Sequence, residues 1–286
     1  MKDENIRPYV YVRPENRIHQ PGQVHSDLDW FPHEVLYKNP LEMHEVGFAN
    51  QILSLEARAF GPSNMAMPRW VFYDCAILPG FVAGFAYRTS AMPQHIRGVM
   101  GITDENEKEH DWTPLSLFII IPTMSAKGEW VAHNLCSINS LLPKEQSFYG
   151  IGFLSKAFSL WYANVVTNCG MTQWTSPAVR LHSHYGDFEI LTAFTPVHSY
   201  ARTLTYRVKV DITRWSQFFT KAQHKGDFKS RYQEAGFSVD PIDEASLISF
   251  QRRLEAGNGP FFLDGVETLT KELIDPLTVF KPVQCY

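Results

Sequence analysis

The chain has 286 residues, 44% of them apolar and 20% charged, with a formal net charge of -4. That suits one large globular domain, or a core with an appendage. No basic tract stands out, which argues against a phosphate-backbone footprint and hence against nucleic acid as a partner.

Four cysteines, Cys75, Cys136, Cys169 and Cys285, form no CxxC pair. They do not read as a disulfide framework, so a reducing, cytoplasmic setting is expected. The N-terminal stretch is charged and lacks the apolar region of a secretory leader. The longest apolar run, residues 115–122, is far too short to span a membrane.

Residues 1–41 read as an N-terminal arm, with a short strand over 9–12. Phe48, Ile52, Leu55 and Ala59 recur at helical spacing, and Gly61-Pro62 stops that helix. Residues 69–77 and 81–89 read as two strands of a hairpin around Leu78-Pro79-Gly80. A polar loop over 103–113 precedes a strand at 115–121 and another over 130–142. Then the period changes: Ile151, Leu154, Phe158, Trp161 and Val165 mark a long amphipathic helix, with Gly170 as its closing residue. A short strand over 172–175 follows, then a helix opened by Pro177 and ended by Gly186. Two more strands cover 188–196 and 201–212. In the second, Leu204, Tyr206, Val208 and Val210 alternate with polar residues, which puts one face on a core. Residues 213–286 read as a mostly helical extension. In it Trp215, Phe218, Phe219 and Ala222 share a face, and Asp243 caps a helix that ends at Gly257.

The expected fold is therefore mixed α/β. A central, mostly antiparallel twisted sheet flanked by helices occupies residues 42–212, between the arm and the helical appendage.

One stretch carries chemistry. The loop 144–149 leads into Gly150-Ile151-Gly152, where the long helix begins. Helix N-termini present unpaired amides and partial positive charge, and glycines let a ligand approach the backbone. That suits a pyrophosphate. The same pattern also fits a plain tight turn. His182 and His184 are two apart on a helix and face different ways, so no metal is expected.

A strand, a Gly-x-Gly loop, a long helix, a strand and a short helix closing at Gly-x-Phe together resemble the cofactor site of the GNAT superfamily of acyl-CoA N-acyltransferases. The family's loop reads roughly Gln/Arg-x-x-Gly-x-Gly/Ala. Here the run is Ser147-Phe148-Tyr149-Gly150-Ile151-Gly152, with Ser147 in the basic or amide place and Gln146 one earlier. The family's later helix, Ala-x-x-Leu-Tyr-x-x-x-Gly-Phe, corresponds to residues 178–188, with His182 in the Tyr place.

The resemblance implies an acyl-CoA co-substrate, acetyl or longer, held by the backbone of Ser147, Phe148, Tyr149, Gly150, Ile151 and Gly152. The end of the preceding strand, through Leu141 and Leu142, would pair with the pantetheine arm. It implies transfer to a small-molecule amine or peptide acceptor by direct attack, with His182 as the acid at the leaving thiol. His133 is a candidate base, and equally a core histidine; Glu129 is a second candidate base at a turn. Tyr149 either walls the cofactor or packs. The aromatic-rich extension is a candidate homodimer contact.

Two alternatives stand beside this reading. One is a non-catalytic GNAT-like protein that binds acyl-CoA or another ligand. The other rests on Gly152-Phe153-Leu154-Ser155-Lys156, which resembles the run around the Schiff-base lysine of acetoacetate decarboxylases, with Lys156 as nucleophile.

Overall fold

Helix α1 (Val46–Phe60) forms where the apolar period requires one, with Phe48, Ile52 and Leu55 buried along one side. In the computed structural model, residues 3–18, 34–105, 107, 110–211, 228–266 and 275–283 are described. The chain divides into two compact units: Met1–Met124 with Ala132–Asn164, and Ser125–Val131 with Val165–Tyr286. The predicted aromatic face Trp215, Phe218, Phe219 and Ala222 lies outside the described residues.

In the first unit, strand β1 (Ile6–Tyr11) pairs antiparallel with β3 (Phe81–Arg88) and parallel with β2 (Leu36–Lys38). The supposed N-terminal arm is thus partly built into the sheet. Four of its residues, Tyr9 to Val12, are at most 3% exposed, and burial of that apolar surface holds the segment down. On its other side β3 pairs with β4 (Trp112–Pro114) and β5 (Ser116–Pro122). Every residue of β3 from Phe81 to Tyr87 is buried, because helices pack against the sheet: α4 (Ile151–Tyr162) on β3 and β5, α1 on β4 and β5.

Residues 69–77 are not a hairpin strand. Helix α2 (Arg69–Val71) continues as a π-helical stretch Phe72–Ile77. Phe72, Ala76 and Ile77 are buried there while Trp70 and Tyr73 are exposed, a helical and not an alternating pattern. Tertiary burial overrides the β-propensity of these aromatics. Among the unit's described residues there is one further α-helix, α3 (Gln94–Met100).

Strand β6 (Glu129–Ser137) is shorter than the expected 130–142. The side chains of Ser140 and Asn139 turn the chain away after Ser137: Ser140 Oγ donates to Ser137 O, and Asn139 reaches Phe148. Short polar side chains offer the backbone such alternatives to a ladder. Helix α4 ends earlier than predicted, at Tyr162, with Asn164 in the left-handed region at φ 48°. Gly170 instead lies inside β7 (Thr167–Gln173), where a Cβ would stand 2.6 Å from the Tyr206 hydroxyl oxygen.

In the second unit, β7 pairs with β9 (Thr203–Val210), β9 with β8 (Gly186–Thr192), and β8 with β11 (Phe261–Leu263), all antiparallel. β11 pairs with β12 (Leu277–Pro282), and β12 with β10 (Tyr232–Val239). The alternation read from β9 holds: Leu204, Tyr206 and Val208 are fully buried. Ser176 caps helix α5 (Pro177–Ser183) and accepts from Ala178 N. Asp243 caps the helix Glu244–Glu255 by accepting from Ala245 N and Ser246 N, and Gly257 follows at φ 73°.

The expectation of a mostly helical C-terminal extension is corrected. Among its described residues β10, β11 and β12 stand beside that helix and the short turn Phe228–Arg231. Their aromatics alternate in strand fashion, a weaker sequence signal than helical spacing.

Candidate functional site

The mouth of α4 is assembled by one reciprocal pair. Asn139 Nδ2 donates to Phe148 O at 2.6 Å, and Phe148 N donates to Asn139 Oδ1 at 2.8 Å. Ser147 is spent locally, its Oγ donating to Pro143 O at 3.2 Å. Tyr149 then projects outward, 100% exposed, which removes the packing alternative for it. Gly150 caps the helix at φ 71°, a conformation that favours glycine. The Ile151 amide turns back to Phe148 O, and Leu154 N donates to Gly150 O at 2.9 Å.

The amides of Tyr149, Gly150 and Gly152 have no partner among the described residues. There is also room above them. A Cβ on Gly150 would meet nothing within 4 Å, and one on Gly152 only Ser137 Oγ at 4.0 Å. Ser137 shares a face of β6 with Leu135 and His133, because strand side chains alternate. None of these three is buried. The site is thus a helix N-terminus with free donors, joined to a partly open strand face.

Leu141 and Leu142 do not extend β6. They follow the helical turn Ile138–Ser140, with Leu141 N donating to Ile138 O. They cannot offer the continuing strand edge that was expected of them, because the chain has already turned.

His133 is an exposed side chain rather than a core one, and its Nδ1 lies 3.0 Å from Asn134 Oδ1. Asn134 in turn reaches Glu56, a residue that the sequence reading missed. Its signal was legible: a carboxylate one residue after Leu55 and four after Ile52, on the apolar side of α1. Burial raises the Glu56 carboxyl above the usual range, and hydrogen bonds from Met67 N and Asn134 pull it partly back.

The other two predicted catalytic residues belong to the second unit. His182 is 5% exposed and stacks on Tyr206 with ring centroids 4.8 Å apart. The structure gives it a place in the core, where an acid cannot meet a leaving thiol without the core opening. Glu129, at the start of β6, hydrogen-bonds Cys169. Burial first, then Glu129, pushes that thiol up to about 11. Glu129 also interacts electrostatically with Arg207.

Lys156 is fully buried on α4, its Nζ 5.7 Å from the centre of the Phe118 ring. Burial lowers its pKa well below the usual lysine value. A Schiff-base lysine must attack a substrate carbonyl through its neutral Nζ, and a fully buried Nζ reaches one only if the core opens, which weighs against the Schiff-base alternative. Among the described residues no group of three His, Cys, Asp or Glu side chains is placed to hold a metal, and no helix is long and apolar enough to cross a membrane. The second unit also carries a cleft of about 540 Å³, with Tyr232, Glu234, Asp264, Asp275 and Phe280 in its walls; no predicted site residue lines it.

No family profile matches the chain, and no curated protein does. Among solved structures, the chain is similar to a candidate acyl-CoA N-acyltransferase from Klebsiella pneumoniae subsp. pneumoniae MGH 78578. The likeness has 14% identity and a TM-score of 0.32, and covers 60% of this chain and 93% of that one. A superposition that loose constrains neither the details of the fold nor the chemistry.

Proposed function

We propose that the chain is an N-acyltransferase of GNAT type, which moves an acyl group from acyl-CoA to a small-molecule amine or a peptide amine. The observation that carries this reading is the α4 mouth. Unpartnered amides of Tyr149, Gly150 and Gly152 open into free space at the start of a 12-residue helix. Such amides, with the helix dipole, suit a pyrophosphate. The face of β6 bearing Ser137, Leu135 and His133 leads away from that mouth and provides a track for the acyl-bearing arm.

In this reading His133 takes a proton from the acceptor ammonium. The neutral nitrogen attacks the thioester carbonyl; the N–C bond forms and the C–S bond breaks. The sulfur leaves with the electron pair and is protonated from solvent, since His182 is buried. No covalent enzyme intermediate is needed, and positioning supplies much of the rate.

Thermal unfolding with acyl-CoAs of increasing chain length tests the binding half. A ligand at a hundredfold over its Kd adds roughly 2.7 kcal/mol. Gly152→Val should remove that gain, because it covers the mouth at a position with ordinary helical backbone. Release of free thiol with a panel of amines tests the transfer half. Binding without thiol release would favour the non-catalytic reading, to which the burial of His182 already lends weight. The absence of any stabilisation would remove the acyl-CoA site itself.

A further inference from the structure

Three side chains of the first unit form a directed chain of hydrogen bonds. Glu56 is 1% exposed; its two carboxyl oxygens accept from Met67 N at 3.0 and 3.1 Å, and its Oε1 accepts from Asn134 Nδ2 at 2.6 Å. A carboxylate only accepts, so the amide of Asn134 must turn its NH₂ toward Glu56 and its Oδ1 away. That Oδ1 lies 3.0 Å from His133 Nδ1. An amide oxygen also only accepts, so the hydrogen of the neutral ring sits on Nδ1 and the lone pair on Nε2.

The residue that receives this arrangement is exposed, although partial burial of its ring lowers its pKa. It shares the β6 face with Ser137, whose Oγ is the nearest atom to the open space above Gly152. Four residue steps along the strand lead from His133 to Ser137, about 13 Å at 3.3 Å per step. A base placed there stands along the strand from the mouth and not on top of it.

We infer that Glu56 and Asn134 are positioning residues that hold His133 in the Nδ1–H tautomer, with Nε2 as the base for the acceptor amine. The reaction in this inference rests on the acyl-transfer reading above; the tautomer rests on the hydrogen bonds alone. The first proton of the acceptor ammonium passes to Nε2. The second passes from the acylated nitrogen to solvent, and the sulfur departs as thiolate and takes its proton from solvent.

The test uses the full chain labelled with ¹⁵N-histidine. Long-range ¹H–¹⁵N correlations distinguish a protonated from an unprotonated ring nitrogen, and His133→Gln assigns the signal. The wild type should show Nδ1 protonated and Nε2 bare at a pH where the ring is neutral. Asn134→Leu should shift His133 toward the Nε2–H form. Glu56→Gln, which keeps an acceptor for Asn134, should leave it largely in place. In turnover, Asn134→Leu should lower kcat tenfold or more with KM for acyl-CoA unchanged. It should add nothing to the loss caused by His133→Gln, which a general base sets at about 10²–10⁴-fold.

An Nε2–H tautomer in the wild type would overturn the inference without any variant, so a misfolded Asn134→Leu protein does not leave it untested. A changed tautomer with unchanged kcat would also overturn it. An Nδ1–H tautomer in a wild type that releases no thiol from any acyl-CoA would instead remove the acyl-transfer reading, and with it the base role, while the orientation of His133 stands.

Discussion

Asn139 and Phe148 exchange two hydrogen bonds, at 2.6 and 2.8 Å, and this exchange folds the loop that opens α4. Asn139→Ala removes both, leaving the Phe148 amide without its partner and its carbonyl with Ile151 N alone. The loss should be about 1–3 kcal/mol in unfolding free energy. Asn139→Asp keeps the acceptor for Phe148 N and should fall between. Denaturant titration checks the stability, and calorimetric titration with acyl-CoA should show affinity falling in the same order.

Tyr149 is fully exposed at the edge of the same mouth. Tyr149→Ala should therefore leave stability within about 0.5 kcal/mol, as for a surface change. Acyl-CoA affinity should still drop if the ring lies against the bound nucleotide. A measurable loss of stability would show that the ring packs after all.

The buried amine of Lys156 gives stability a definite pH dependence. Its folded pKa is depressed by burial, while the unfolded chain keeps its proton up to about 10.4. Between those two values the unfolded state binds more protons, so stability rises with pH across that window. Lys156→Met should flatten this part of the profile and match or exceed the wild type at neutral pH. Denaturant titrations between neutral and alkaline pH read both effects; an unchanged slope would mean that Lys156 is not the source.

Gly84 and Gly98 should respond to alanine with opposite signs. A Cβ on Gly84 would overlap the carbonyl of Ser116 at the β3–β5 crossing, so Gly84→Ala should cost about 1–3 kcal/mol. Gly98 sits in α3 with nothing within 4 Å of its added Cβ. Gly98→Ala should gain up to ~1 kcal/mol through reduced unfolded-state entropy. Paired thermal melts decide both.

In the second unit both backbone groups of Ala193 are held by side chains. Trp174 Nε1 donates to its carbonyl at 2.7 Å, and Gln251 Oε1 accepts from its amide at 2.7 Å. Gln251→Ala leaves that amide unpaired at a residue with no exposure. A loss of about 1–3 kcal/mol is expected, read by denaturant titration. Gln251→Glu, which retains an acceptor, should recover most of it.

Local pattern was enough for the elements whose own residues decide them. The period of Phe48, Ile52 and Leu55 determined α1, and the alternation of Leu204, Tyr206 and Val208 determined the inward face of β9. The capping side chain of Asp243 and the proline at 177 placed two helix starts, because a cap acts on amides only two or three residues away. The Gly150-Ile151-Gly152 mouth was legible for the same reason. Only the tertiary structure decided the rest. It turned residues 69–77 into helix, drew 6–11 into the sheet, ended β6 at Ser137, and buried His182 against Tyr206 while leaving His133 exposed. Apart from the local Ser140 turn that ends β6, these outcomes depend on a partner far away in sequence, such as β3 for β1 or Glu56 for Asn134. Burial and hydrogen bonding between distant residues carry no short-range period, so no window of the sequence could have shown them.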